Sequence, residues 1–268
     1  MARPADRSAP GKGSLMNASA SAASVAGWDK YRNFHLWMLL PFAISVLGFS
    51  YSYYFNLRGA TFHQHVHGLS ATLWYILVVV QPWLITRRRD VPRHRLLGAF
   101  ATLLAGVVAG SALTIIPKNI DDVATLDPNG FFNPTFAYFA VIVDVVLVSL
   151  FLASVAMAIV AMKRRDLAGH VQWMMASVFF VLSPGLARMF GIAWIMANQG
   201  NMAGISLVKL ALPSMLVMMA LVLVYYRKFG SFRHPSFWLL MVAHLTYRFV
   251  VPVGDDPTVR SILSAIFK

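Results

Sequence analysis

Three of the eight histidines lie within five residues, in the run H-Q-H-V-H-G that spans 63–68. If a helix begins before this run, His63 and His67 lie four residues apart on one helical face. If the chain is extended, all three histidines share a face with a period of two. Imidazole nitrogens bind zinc and copper, and one imidazole can be an axial haem ligand. The run predicts a metal site formed by His63, His65 and His67, or a haem ligand; a cluster that only meets water and head groups is the alternative.

Two further histidines begin predicted helices. His94 stands in the motif P-R-H-R-L-L-G and His170 in G-H-V-Q-W-M, each directly after a basic loop. A polar residue at such a position can cap the exposed amides of the helix or contact phosphate. Two facing histidines can instead hold haem b as its axial ligands. We expect His94 and His170 to form an inner pair of ligands, and His67 and His244 to form an outer pair.

Three charged residues interrupt the apolar runs: Asp144, Arg188 and Arg248. An arginine or aspartate at the centre of a spanning helix costs about 2.5 to 3.5 kcal/mol, so such residues face the bundle interior and pair. We expect Asp144 to neutralise Arg188 or Arg248, which leaves one arginine for an anionic group such as a haem propionate. A purely structural ion-pair network is the alternative. The S-P-G run at 183–185 predicts a kink before Arg188, because proline removes a backbone donor.

The composition places these residues in a membrane protein and removes several kinds of chemistry. The 268-residue chain is 58% hydrophobic and 12% charged, which is too apolar for an ordinary soluble domain. It contains no cysteine and no glutamate, so disulfides, iron–sulfur clusters and glutamate bases are excluded. The net charge of +13 does not indicate nucleic acid, because the cations flank apolar runs and no nucleic-acid-binding motif is present. The expected partner is the lipid bilayer.

Seven apolar runs approach the roughly 20 residues that a spanning helix needs. The sequence therefore predicts an all-α, polytopic transmembrane helix bundle over 28–255. A disordered tail over 1–27 precedes it, because this stretch is rich in Ala, Ser, Gly and Pro, and a short C-terminal tail over 256–268 follows. The predicted spans are 34–55, 66–86, 95–117, 135–162, 171–197, 206–227 and 236–253.

The distribution of cations predicts how these spans are oriented. Sixteen of the 23 lysines and arginines fall in four segments: the N-terminal stretch through Arg32, 87–95, 163–165 and 227–233. The intervening segments hold few cations. Short basic loops stay on the cytoplasmic side of a membrane. We expect a protein of the bacterial inner membrane whose N-terminus is cytoplasmic and whose C-terminus lies outside.

The third predicted helix carries a stripe of small residues. Gly98, Thr102, Gly106 and Gly110 follow one another at a spacing of four. In a membrane such a stripe lets another helix or a flat cofactor approach closely. We expect close helix packing on this stripe; a cofactor face and a docking surface for another subunit are the alternatives.

Two short motifs, H-R-x-x-G at 94–98 and H-x-x-W-M at 170–174, resemble those of a family of uncharacterised bacterial multipass membrane proteins. The resemblance covers roughly residues 60–195 and includes the histidine-bearing start of the second helix. It implies a four-helix unit in which the two motifs begin helices separated by a helical pair. Val171 departs from the family, which commonly has arginine there. Histidines at the ends of a four-helix core also look like the membrane b-type cytochromes, which is an architectural likeness.

Three functions fit these residues. The first is a membrane protein whose histidines hold haem b, or alternatively copper or zinc, for electron transfer with a membrane redox partner. The second is a transporter or small-anion-binding protein that uses the intramembrane arginines. The third is an accessory or assembly subunit without chemistry of its own, alone or as a homo-oligomer. A zinc hydrolase is a fourth alternative, built from His63, His67, His244 and Asp144.

Overall fold

The computed structural model describes residues 29–126, 133–201, 207–250 and 252–267, and within these ranges every regular element is helical. The tail predicted for 1–27 lies outside the described residues. Each of the seven predicted spans overlaps a helix, and a further helix lies near the C-terminus. The helices of more than ten residues are α1 (Phe34–Gly48), α2 (Phe62–Trp83), α3 (Val91–Leu113), α4 (Pro134–Lys163), α5 (Leu167–Ala197), α6 (Leu207–Phe229), α7 (Pro235–Val250) and α8 (Pro257–Phe267), and a short helix, Ile116–Asp121, follows α3.

Five of these helices are long and apolar enough to cross a membrane. They are α2 with its continuation to Arg88, α3, α4, α5 and the Lys209–Phe229 part of α6. The 15 residues of α1 rise about 22 Å, which is less than the hydrocarbon core of about 30 Å. A π-helical turn, Ser50–Tyr54, continues α1 toward the predicted end of the first span. The structure is thus that of an all-α membrane protein, as the composition predicts.

Helix α5 lies at the centre of the bundle. It packs against α1, α4, α6 and α7, while α2 packs against α1 and α3, and α3 packs against α4. Large side chains such as Trp74, Phe151 and Phe180 fill the space between the helices and are fully buried. The rings of Trp74 and Phe151 meet edge to face with centroids 5.0 Å apart, which joins α2 to α4 across the bundle. Outward-facing side chains such as Leu103 supply the apolar surface that lipid requires.

Two glycines allow α1 to cross α5 at very short distance. A Cβ atom on Gly48 would lie 2.0 Å from the carbonyl oxygen of Gly185, and one on Gly185 would lie 3.3 Å from the Cα atom of Ser45. The obstacle at Gly48 is backbone, which cannot move aside as a flexible side chain can. Gly185 follows Pro184, and α5 continues as a helix through both residues. The S-P-G run therefore positions α1 against an unbroken α5.

The basic segments meet at one end of the bundle. The segment before α1 contacts the loops that follow α2 and α6, and the loop after α6 contacts the first turns of α5. Three hydrogen bonds record these contacts: Lys30 Nζ to Gly230 O (3.2 Å), Arg87 Nη2 to Asn33 Oδ1 (2.6 Å) and the Ser231 amide to Gln172 Oε1 (2.7 Å). We call this end of the bundle the basic end.

A buried polar network ties α5, α6 and α7 together at the basic end. The Tyr226 hydroxyl donates to the carbonyl oxygen of Gln172 at 3.2 Å and lies 2.6 Å from Ser236 Oγ. His234 Nδ1 lies 2.7 Å from the same Ser236 oxygen. Burial lowers the pKa of His234, so its imidazole is neutral at pH 7. His234 is therefore part of the hydrogen bonding that holds these helices together.

The opposite end is closed by α8, which lies beside the start of α4. Arg260 Nη2 donates to Asp255 Oδ1 at 2.8 Å and to Thr135 Oγ1 at 3.2 Å. The hydroxyls of Tyr138 and Ser264 form a further hydrogen bond of 3.0 Å. The segment after α7 and the start of α4 thus share the end that lies away from the basic loops.

Candidate functional site

The histidine run at 63–68 lies in the first turns of α2. Thr61 caps this helix with a reciprocal pair of hydrogen bonds: its hydroxyl accepts from the Gln64 amide at 3.4 Å, and its own amide donates to Gln64 Oε1 at 2.8 Å. Because the helix begins at Phe62, His63 and His67 lie on one helical face, as the helical alternative predicts. The extended alternative is wrong.

The three histidines of this run lie in different surroundings. His63 is exposed, His65 Nδ1 lies 3.4 Å from the Tyr53 hydroxyl, and His67 Nδ1 lies 3.1 Å from Ser111 Oγ on α3. No three histidines or aspartates in the described part of the chain are grouped so that they could hold a metal ion. A zinc or copper site from His63, His65 and His67 remains a prediction that this arrangement does not favour.

The structure brings Asp144 and Arg188 together. Arg188 on α5 interacts electrostatically with Asp144 on α4 and with His67 on α2. Its guanidinium also lies over the Phe49 ring, 4.6 Å from the centroid, and its Nη1 donates to the carbonyl oxygen of Pro184 at 3.2 Å. These groups form a charged cluster in the half of the bundle away from the basic end. The side chain of Arg248 lies outside the described residues.

The predicted outer pair of histidines is not assembled. His244 is 3% exposed and its ring stacks on Phe180 with centroids 6.1 Å apart. His67 instead faces Arg188, eight residues farther along α5, which corresponds to about 12 Å of helix. In the described residues, α2 packs against α1 and α3, and α7 packs against α4, α5 and α6, so the two histidines do not face each other.

The predicted inner pair is assembled at the basic end. His94 on α3 and His170 on α5 lie close enough to interact electrostatically. His170 Nδ1–H donates to the carbonyl oxygen of Ala158 at 3.0 Å, which leaves Nε2 as the free ring nitrogen. The His94 ring also lies within hydrogen-bonding reach of the Gln81 main chain, and its buried Nδ1 forms no well-shaped hydrogen bond with the described residues. The sequence motifs at 94–98 and 170–174 thus bring one free imidazole nitrogen each to the same region.

Neither histidine caps its helix. The Asp90 carboxylate accepts the Arg93 amide at 3.0 Å at the start of α3, and the Asp166 carboxylate accepts the Gly169 amide at 2.8 Å at the start of α5. Aspartate is among the best N-terminal caps, and both aspartates stand just before the helices that they cap. The alternative in which His94 and His170 cap their helices is therefore wrong, whereas their contact with phosphate stays a prediction.

Gln81 lies beside His94 in the same region. It is not among the site residues predicted from the sequence. Both of its side-chain polar atoms are buried without a hydrogen-bond partner in the described structure, and its main chain lies beside His94. A Cβ atom on Gly98 would lie 3.8 Å from Gln81 Nε2, so Gly98 leaves room for this amide. A signal was present: Gln81 is the first polar side chain after the apolar run 73–80. We call His94, His170 and Gln81 the inner polar cluster.

The stripe of small residues does not pack as expected. A Cβ atom on Gly106 or Gly110 would meet no atom within 4 Å, so no described helix covers these glycines. The packed face of α3 is formed instead by Ala101, Ala105 and Val108. A spacing of four residues advances about 40° per step around a helix, so the stripe turns away from the packed face after Gly98. Close packing within the described bundle is thus wrong for this stripe.

No protein-family model, no curated protein and no solved structure matches this chain. The resemblance drawn from the two histidine motifs therefore stays a prediction. The inner polar cluster has to be interpreted from its own residues.

Proposed function

We propose that the chain crosses the bacterial inner membrane seven times, with its N-terminus in the cytoplasm and its C-terminus outside. The support is the convergence of the basic segments on one end, combined with the retention of short basic loops in the cytoplasm. In this arrangement α1 with its π-helical turn and α7 complete the seven crossings. The inner polar cluster then lies at the cytoplasmic ends of α3 and α5.

The orientation can be tested with single cysteines, because the natural chain contains none. Thr125→Cys lies in the exposed segment after α3, and Arg164→Cys lies in the exposed loop between α4 and α5. In intact cells, a membrane-impermeant maleimide is expected to label Thr125→Cys and not Arg164→Cys. Labelling of Arg164→Cys should appear once the inner membrane is opened. The reverse pattern would refute the proposed orientation.

Within this frame, we propose that His94 and His170 hold haem b and that the protein transfers electrons with a membrane redox partner. The observation that carries the proposal is the pair of neighbouring histidines with one free nitrogen each, beside an amide whose polar atoms have no partner among the described residues. Buried polar groups without partners cost about 1 to 3 kcal/mol each, so such a cluster implies a polar ligand.

The number of ligands favours haem over a bare metal ion. Structural zinc sites use four protein ligands and catalytic ones use three, whereas a haem iron needs only one or two axial ligands from the protein. The described residues supply one pair of interacting histidines, His94 and His170, and no group of three metal-binding side chains. Two histidines that lie close enough to interact electrostatically would suit the axial positions of haem b.

Each residue has a definable task in this proposal. The hydrogen bond from His170 to Ala158 fixes the tautomer and the orientation of the ring, as carbonyl oxygens commonly do for metal-ligating histidines. Gln81 and Arg95, which interacts electrostatically with His94, would face the propionate groups. When bound, haem b supplies reversible one-electron oxidation and reduction.

An absorption spectrum and metal analysis test the proposal. Protein purified in detergent, after expression with adequate haem supply, is expected to show a Soret band and stoichiometric iron. His94→Ala and His170→Ala should each lose the band while their size-exclusion profiles stay unchanged. His63→Ala is the matched control, because His63 is exposed at the other end of the bundle, and it should keep the band.

Two results would contradict the proposal in different ways. A preparation that contains neither a Soret band nor bound metal would remove the cofactor. A band that survives both inner substitutions and disappears in His67→Ala or His244→Ala would move the haem to the outer pair. Stoichiometric copper or zinc without haem would replace haem by a metal ion.

A further inference from the structure

A cavity of about 320 Å³ opens at the basic end, between the segment before α1 and the turn after α2. Asp29, Arg32, Thr86, Arg87 and Arg89 line it. Three of these residues are arginines and one is an aspartate, so the lining residues carry a net charge of +2. The cavity shares no residue with the inner polar cluster, so a ligand bound there is independent of the proposed haem. We call it the arginine cavity.

The backbone after α2 turns so that Arg87 and Arg89 both line the cavity. After α2 the chain makes a π-helical turn, Leu84–Arg88, and Arg89 follows in the left-handed conformation with φ of 55°. A side chain in this region costs about 1 to 3 kcal/mol, so the surrounding contacts must hold it. Arg87 Nη2 donates to Asn33 Oδ1 at 2.6 Å, and the Thr86 hydroxyl donates to the carbonyl oxygen of Arg32 at 3.5 Å. These bonds join the two walls of the cavity.

The cavity lies at the depth of lipid head groups. Trp83 is 37% exposed at the end of α2, and the guanidinium of Arg88 lies over its ring, 5.2 Å from the centroid. Tryptophan collects at the level where head groups begin, and Arg89 follows one and a half turns later. Guanidinium groups match the oxygens of a phosphate in pairs, and basic pockets on the cytoplasmic side of membrane helices bind anionic head groups.

We propose that the arginine cavity binds the phosphodiester head group of an anionic phospholipid of the phosphatidylglycerol type. Two guanidiniums neutralise the phosphate, while the carboxylate of Asp29 accepts hydrogen bonds from the head-group hydroxyls. The net charge of the walls disfavours a zwitterionic head group, because its own cation would be repelled. The lipid would join the segment before α1 to the end of α2 and fix the entry of the first helix.

Native mass spectrometry of the full-length protein, purified and stripped of lipid in detergent, tests this site. Phosphatidylglycerol is expected to bind at least about tenfold more tightly than phosphatidylcholine, because only its head group offers hydroxyls to the Asp29 carboxylate, and a hydrogen bond to a charged group exceeds the roughly 1.4 kcal/mol that a factor of ten represents. The double variant Arg87→Gln/Arg89→Asn should lose this preference. The matched control Arg164→Gln/Arg227→Gln removes two exposed arginines at the same end and should keep the preference within about twofold.

The single variant Arg89→Asn is expected to fold normally, because asparagine tolerates the left-handed conformation and Arg87 keeps its hydrogen bond to Asn33. It should weaken phosphatidylglycerol binding while the melting temperature stays unchanged. An equal loss of preference in the control double variant would show that the charge acts diffusely, and would overturn the site. Inorganic phosphate that displaces the lipid and binds equally well in an Arg89-dependent manner would assign the cavity to free phosphate.

Discussion

Replacing Gly48 by alanine is expected to abolish the stable fold, although alanine adds only one carbon atom. Its Cβ atom would lie 2.0 Å from the carbonyl oxygen of Gly185, and contact with backbone can be relieved only by moving α1 away from α5. Because α5 is the central helix, that movement would also loosen the packing around it. We expect the free energy of unfolding to fall by about 3 kcal/mol or more.

Fluorescence-detected size exclusion and thermal unfolding in detergent measure this effect. The matched control is Gly106→Ala, which makes the same change in α3 where a Cβ atom meets nothing within 4 Å. An exposed glycine in a helix is less stable than alanine by about 0.5 to 1 kcal/mol, so this control should be neutral or stabilising. A Gly48→Ala protein that melts like the natural chain would show that α1 does not pack on α5 at this point.

The glycine stripe on α3 and the Gly48–Gly185 crossing differ in how far the sequence predicts them. The stripe on α3 was visible because its members follow one another at regular spacing, yet only Gly98 lies near a packed group. Gly48 and Gly185 form the tight crossing, but they lie in different helices with no periodic signal to link them. A helix's own spacing identifies a face; it does not identify the neighbour on that face.

The helices themselves followed from apolar runs, with one systematic difference. The first residues of α2, α3 and α5 lie about four positions before the predicted spans, because Thr61, Asp90 and Asp166 cap polar first turns. An apolar run does not include these polar first turns, whereas an N-cap residue predicts where the helix begins. This difference matters for the site, because His63, His94 and His170 all lie in these first turns. Their placement on helical faces depends on where each helix begins.

The inner pair of histidines comes together and the outer pair does not, because of which helices pack against each other. The sequence assigned a depth to each histidine, and depth alone makes His67 and His244 equally good partners. In the bundle α2 packs against α1 and α3, whereas α7 packs against α4, α5 and α6, so α2 and α7 have no extended interface among the described residues. His94 and His170, by contrast, lie close enough to interact electrostatically. Which helices are neighbours is set by packing over the whole bundle. The position of Gln81 beside His94 likewise follows from that packing and not from the sequence.

The second large effect on stability is expected for substitutions in the charged cluster around Arg188. Asp144→Leu is expected to destabilise the protein by about 1 to 3 kcal/mol, because the exposed guanidinium of Arg188 then stays at membrane depth without the carboxylate that interacts with it. Arg188→Leu should cost less, since an isolated carboxyl group can take up a proton and become neutral while a guanidinium cannot lose one. Thermal unfolding of the two variants in the same detergent measures this difference.

The double variant Asp144→Leu/Arg188→Leu tests whether the two groups act as a pair. It removes both charges, so it should recover most of the stability that Asp144→Leu loses, with a coupling energy of about 0.5 to 3 kcal/mol. Arg58→Leu is the control, because it removes an exposed cation from the same half of the chain and should leave the melting temperature unchanged. If the effects of Asp144→Leu and Arg188→Leu simply add, the two residues are not coupled. In that case Arg188 is stabilised by its contacts with Phe49, Pro184 and His67 rather than by the carboxylate.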